Sequence, residues 1–316
     1  MHLKLKSTLA TFVLIASCVI ANLPASYAQT SGAAQNHESA RSDKFTGGHI
    51  ERAALEPGQP DIKITINVPA FRLTLWQNGK EVAIYPIGVG RKEYPITIGE
   101  RTASEIIWNP TWTPPNSEWV QGMEGVRPGE VIKAGDPRNP LGKLKIPLGN
   151  GYLIHQAAKT TDLGNLVSHG CIRMLRRDLY DLAEKIVAAR SLEVTKRQIE
   201  RAKVSSRMLV AALNEPLVVD INYDTQVVEE GVLHLYPDVY DRGTDRVENL
   251  RAELESSGVD SSSITDATLR RMLARPNENE EYAVSVESIK AGRALAAGRN
   301  RSLVTGQRTA NAKRRA

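Results

Sequence analysis

The stretch Ile62-Lys63-Ile64-Thr65-Ile66-Asn67-Val68, with Phe71-Arg72-Leu73-Thr74-Leu75-Trp76, Asn78-Gly79 and Val82-Ala83-Ile84-Tyr85 after it, decides the fold class of this chain. Apolar and polar residues alternate in the first two segments, the period of a strand with one buried face. Asn-Gly is the pair that most readily takes the two positive-φ positions of a short hairpin turn. The segment reads as an antiparallel β meander that begins at Asp61.

Further along, Ile106 to Trp108, Val131-Ile132, Leu144 to Leu148 and Tyr152 to His155 are short apolar segments separated by Pro- and Gly-bearing stretches. Many short strands with such punctuation predict a mainly β fold, a β-sandwich or partly closed barrel. Leu179, Leu182, Ile186 and Val187 then recur at helical spacing, so a helix over Arg177 to Ala189 is expected to cover the sheet. A second helical stretch is expected to run to about Asn214. Leu217 to Ile221 and Gly231 to Tyr236 read as two strands of a small appended unit. Arg246 to Glu255 and Ile264 to Leu273 read as short amphipathic helices. The expected layout is a main domain over 61–195, a C-terminal α+β extension over 196–275, and a polar, basic tail outside the fold over 276–316.

Towards the N-terminus, residues 29–60 are rich in Ser, Gly, Ala and charge without apolar periodicity and read as a flexible leader. Residues 1–28 place Lys4 and Lys6 before the apolar run Leu9 to Leu23 and end on Ser26-Tyr27-Ala28. That is the layout of an export signal cleaved after Ala28. A competing reading takes Ile15-Ala16-Ser17-Cys18 as a lipoprotein site with Cys18 lipidated.

The chain has 316 residues, 41% of them hydrophobic, enough for a sizeable core and too many for wholesale disorder. Its two cysteines exclude a disulfide scaffold and form no C-x-x-C pair. The formal charge of +5 is uneven: Lys4 and Lys6 give the first 28 residues +2, and eight Lys and Arg without an acid give Ile289 to Ala316 +8, so the body between carries −5. The basic excess is terminal and is no argument for a nucleic-acid partner. No aromatic residue is interleaved with these charges for base stacking, and weak contact with anionic surfaces is the expectation for the tail.

Chemistry concentrates in one 19-residue window, from His155 at the end of a predicted strand to Ser168-His169-Gly170-Cys171-Ile172-Arg173. A thiol becomes a good nucleophile as thiolate, and a nearby imidazole can take its proton and return one to a leaving amine. Gly170 permits a tight turn whose N–H groups can face an oxyanion. Two alternatives stand beside acyl transfer: Cys171 as a plain core residue, or His155, His169 and Cys171 as zinc ligands.

Ser168-His169-Gly170-Cys171-Ile172-Arg173, with His155 sixteen residues before the thiol, resembles the active-site signature of the YkuD-type L,D-transpeptidases. Asn109-Pro110-Thr111-Trp112-Thr113-Pro114-Pro115 and Asp136 to Gly142 resemble segments of the proteobacterial branch. The resemblance implies a YkuD-like catalytic domain over 61–195, with Cys171 as nucleophile and His155 as proton donor and acceptor. It also implies that the histidine is oriented by a backbone carbonyl, for which Gln156 is the candidate, and that His169, Ser168, Gly170 and Arg173 shape the loop and the oxyanion site. No metal or cofactor is implied. The implied partners are peptidoglycan tetrapeptide stems in the periplasm, with a neighbouring stem, an outer-membrane lipoprotein lysine or water as acyl acceptor. A sortase-like anchoring enzyme and a catalytically silent wall-binding protein are the alternatives. Trp108, Trp112 and Trp119 either line a substrate cleft or pack the core.

Overall fold

The computed structural model describes residues 61–191 and 193–304. The export signal, the leader, Cys18 and residues 305–316 lie outside the described residues.

The meander forms as the pattern predicts: β1 (Ile62–Asn67), β2 (Arg72–Gln77) and β3 (Lys80–Pro86) pair antiparallel in sequence order. Asn78 and Gly79 turn the hairpin at φ 52° and 74°, the positive pair of a two-residue turn that matches the twist of its strands. Ile62, Ile64 and Ile66 all point into the core. Next come β4 (Val89–Gly90), β5 (Gly99–Trp108), α1 (Glu118–Gln121), β6 (Leu144–Pro147), β7 (Leu153–Gln156), β8 (Leu166–Ser168), β9 (Ile172–Met174), α2 (Arg176–Arg190), α3 (Lys196–Val204) and β10 (Leu209–Asn222). Eight of these strands form one sheet in the order β3-β2-β1-β10-β5-β6-β7-β9. Its two ends approach each other, since Gly88, just past β3, exchanges backbone hydrogen bonds of 2.9 and 2.8 Å with Arg173 of β9. The sheet is a nearly closed barrel. Its closing seam lies beside the sequence motif.

Helix α2 buries Leu179, Leu182, Ala183, Ile186 and Val187, one stripe of its surface, against β6, β7 and β10. Residues 209–214 are strand where a helix was expected. Their mixed apolar run suits either conformation, and the vacant place between β1 and β5 decides for strand. The register of β10 on β5 shifts between Ala212 and Leu217, and the irregularity accommodates Pro216 inside a central strand.

This strand corrects the expected domain boundary at 195. β10 pairs parallel with β1 and antiparallel with β5, so the main sheet is incomplete without residues to Asn222. The second core starts later, in β11 (Gln226–Glu229), β12 (Val232–Leu235), α4 (Val247–Ser256), α5 (Asp266–Leu273), β13 (Glu280–Ser285), α6 (Val286–Lys290), α7 (Ala294–Ala297) and β14 (Arg299–Ser302). β11 to β14 form a second sheet in sequence order.

The tail expected from residue 276 is also corrected. Residues 280–302 supply two strands and two helices, with Tyr282, Val284 and Ile289 at 0%, 3% and 2% exposure, and Leu303 joins the first core. High average polarity concealed these few apolar positions, whose burial is set by contacts distant in sequence. Among the described residues no helix is long and apolar enough to cross a membrane.

Candidate active site

β7 and β9 run parallel with Ile154 opposite Ile172 and His155 opposite Arg173. Strand alternation then sorts the side chains. Ile154, Ile172 and Met174 point into the core at 0% exposure. His155 and Arg173 share the other face. Cys171 immediately precedes β9, and its Sγ lies 4.0 Å from the Gly151 oxygen.

His155 is buried, at 2% exposure. Burial holds its imidazole well below the usual 6.5, and the positive charge of Arg173 adds to this, while the carbonyls of Leu141 and Pro140 act in the opposite direction as acceptors. Arg173 Nη1 lies 3.3 Å from His155 Nδ1 and 3.4 Å from the Pro140 oxygen. Both contacts are long for hydrogen bonds. The carbonyls facing the ring are those of Pro140 and Leu141, not that of Gln156. Gln156 acts one step away: its N–H donates to Leu141 O at 3.4 Å and its Oε1 accepts from Lys143 N–H at 3.1 Å. Its side chain also fills the space where a Cβ on Gly142 would sit, within 2.8 Å. Gln156 thereby pins the turn that presents the two carbonyls. Asp162, the acid within the window, accepts from the N–H groups of Ala158 and Lys159.

Cys171 is a free, partly buried cysteine. Burial raises its thiol above the ordinary 9.0, against the Leu153 N–H and Arg173, which favour the thiolate. The resting pair at neutral pH is therefore thiol and neutral imidazole. The loop before it is clamped by Ser168, whose buried hydroxyl accepts from the Gly170 N–H at 3.1 Å and donates to Cys171 O at 2.5 Å. Gly170 has φ 104°, and a Cβ there would meet the Tyr152 ring at 3.0 Å, so the position calls for glycine. Because the Gly170 N–H is taken by Ser168, it does not face the space around the thiol as the sequence had suggested.

His169 does not join His155 and Cys171 in a ligand cluster; among the described residues no group of three or more His, Cys, Asp or Glu is placed to hold a metal ion. Its ring stacks on Trp119 at 4.3 Å and 10° and meets the Tyr94 ring edge-on at 4.8 Å. Arg91 Nη2 donates to its Nε2. Partial burial holds this imidazole below its ordinary value, and Arg91 and Arg173 add to the effect. Of the tryptophans, Trp108 is in the core, and Trp112 packs in a satellite cluster with Val120 and Ile132 and stacks on Trp119. Trp119 alone reaches the motif. Arg91 and Tyr94 escaped the sequence reading; their only signal was Gly88-Val89-Gly90, two glycines with no room for a side chain. A Cβ on either would fall about 2 Å from a carbonyl oxygen, 2.2 Å from Asp162 O for Gly88 and 2.1 Å from Tyr94 O for Gly90.

Residues 61–204 match the family model of the YkuD L,D-transpeptidase catalytic domain. The chain is 29% identical over 188 residues to the probable L,D-transpeptidase YcfS of Escherichia coli, covering 57% of this chain and 58% of that protein. It is 31% identical over 126 residues to the probable L,D-transpeptidase YbiS of the same species, covering 39% and 41%. To the probable L,D-transpeptidase ErfK/SrfK of Salmonella typhimurium it is 29% identical over 160 residues, covering 49% and 50%. The chain spans about half the length of the curated relatives it matches. Segment 61–204 is thus similar to the catalytic domain of the YkuD-type L,D-transpeptidases, with relatives in Escherichia and Salmonella.

Proposed function

We propose that the chain is an exported, periplasmic cysteine L,D-transpeptidase acting on peptidoglycan tetrapeptide stems. The observation that supports this most directly is the pairing of His155 with Arg173, two residues after Cys171, across β7 and β9, inside the segment that matches the catalytic-domain family.

In this reading the Cys171 sulfur attacks the carbonyl carbon of the third stem residue while its proton passes to His155. The bond to the terminal D-alanine breaks, and His155 returns the proton to the departing amine. A thioester remains. An amine of a neighbouring stem, or of a lipoprotein lysine, then attacks the thioester and regenerates the thiol. Because the resting pair is neutral, proton transfer accompanies the attack, and the Leu153 N–H and Arg173 stabilise charge on sulfur as it develops. The Gly170 N–H being engaged, the oxyanion is assigned to the Cys171 N–H. The wall of Trp119, His169 and Tyr94 receives the stem. Arg91, which pairs with no carboxylate among the described residues, faces the terminal carboxylate of the D-alanine.

The test is product analysis of the full chain with disaccharide tetrapeptide, with and without a lipoprotein lysine peptide. Wild type is expected to release D-alanine and Cys171→Ala to release none, and the joined product identifies the acceptor. A wild-type protein that releases no D-alanine and forms no adduct with a carbapenem would sink the proposal in favour of a silent wall-binding protein.

A further inference from the structure

The catalytic loop leans on residues 90–96. Arg91 N–H donates to Ser168 O at 2.9 Å, β4 pairs with β8, and a Cβ on Gly90 would lie 3.0 Å from Gly170 Cα. With so little clearance, displacement of the 90–96 loop carries Ser168 to Cys171 with it.

The neck of that loop is tied from beyond the segment that matches the family. Tyr240 Oη donates to Gly90 O at 2.9 Å and accepts from Ile96 N–H at 3.4 Å, so one hydroxyl spans both ends. Tyr240 is itself fixed. Its N–H donates to Tyr223 Oη at 2.7 Å, the two rings stack at 5.7 Å and 18°, and the Arg242 guanidinium lies over both. Tyr223 Oη donates to Asp238 Oδ1 at 2.5 Å, and Lys92 pairs with Asp241 across the same junction. Burial pushes the Tyr240 phenol up to about 12, so it keeps the proton it donates across the neutral range.

We infer that Tyr240 is a positioning residue for Cys171, acting through Gly90 and Ile96, and that the segment 236–242 completes the active site instead of serving as a separate docking module. The inference rests on the proposed function only in taking Cys171 as the nucleophile.

Tyr240→Phe keeps the ring stack and removes both hydrogen bonds of the hydroxyl. The test is the rate of Cys171 alkylation by iodoacetamide as a function of pH, with hydrogen exchange followed in peptides covering 88–97 and 166–173. Tyr240→Phe is expected to slow alkylation at pH 7 about fivefold, to move its midpoint upward and to speed exchange in both peptides, with circular dichroism unchanged. Tyr180→Phe, on α2, serves as the control that alters none of these. Should Tyr240→Phe fail to fold, Arg242→Ala, at the exposed end of the stack, is expected to give the same changes at smaller size. An alkylation profile and exchange pattern that superimpose on wild type in the folded variant overturn the inference. Alkylation needs no peptidoglycan: a wild type inert to tetrapeptide whose alkylation still depends on Tyr240 would refute the transpeptidase reading and leave this one standing.

Discussion

Arg173 stands opposite His155 across β7 and β9, with its guanidinium Nη1 3.3 Å from the imidazole Nδ1. Burial is the larger influence on both titrating groups of the site, lowering His155 and raising Cys171, and the Arg173 charge lowers both. An imidazole that must accept a proton fails only once it is already protonated. The rate of D-alanine release is therefore expected to hold from pH 7 down past 6.5 and to fall only in more acidic solution. Arg173→Met removes the repulsion, so the acid limb should move up towards 6.5 and the alkylation midpoint of Cys171 should also rise. Parallel pH profiles of wild type and variant check both movements; an unmoved acid limb would exclude the charge as its cause.

The same shifts have a stability consequence. A His155 whose folded value lies below 6.5 binds its proton more readily in the unfolded chain, so stability falls as pH drops through 6.5 towards the folded value. The slope for one such group is at most about 1.4 kcal/mol per pH unit. Cys171, raised above 9.0, ionises first in the unfolded chain, and stability falls as pH rises through 9. Urea unfolding of wild type and His155→Gln between pH 5 and 7 should differ in slope by this proton, and identical slopes would refute the assignment.

Ser168→Ala should loosen the catalytic loop without unfolding the barrel. The buried hydroxyl serves both the Gly170 N–H and Cys171 O, and its loss is expected to cost about 1–3 kcal/mol of stability. Acyl transfer should fall at least tenfold through lost alignment, as about 1 Å of misplacement can have larger effects. Denaturant midpoints and tetrapeptide turnover measured on the same preparation separate the two.

Trp119 and His169 stack at 4.3 Å. Trp119→Leu keeps apolar bulk and removes the ring, so it is expected to raise KM for tetrapeptide several-fold with less effect on kcat. A loss confined to kcat would place Trp119 in loop positioning instead of substrate contact.

Truncation reads the C-terminal boundary. Removal of residues 289–316 takes away Ile289, Ala294 and Leu303, each no more than 4% exposed. It is expected to lower the thermal midpoint sharply, since losing a buried Ile or Leu side chain from a core costs about 2–5 kcal/mol. A thermal midpoint unchanged by removal of 289–316 would contradict the packing described above.

Local pattern alone determined much of this protein. Alternation in Ile62 to Trp76 and the Asn78-Gly79 turn specify a meander because each strand's face and its hairpin are short-range properties. The stripe Leu179, Leu182, Ile186, Val187 specifies α2 for the same reason. The motif Ser168 to Arg173 with His155 before it contained the pair His155 and Arg173 that β7 and β9 set side by side, since strands adjacent in the sheet happen to be near in sequence. Tertiary structure decided what depends on distant partners. Leu209 to Leu213 became strand because β1 and β5 left a place between them, and Tyr282 to Leu303 became core through contacts that average composition does not register. The carbonyls facing His155 come from Pro140 and Leu141, and the brace on the catalytic loop comes from Tyr240. Backbone oxygens carry no side-chain signature, and a hydroxyl 150 residues from Gly90 shows no periodicity with it; only the closed sheet, which joins these segments in space, makes them neighbours.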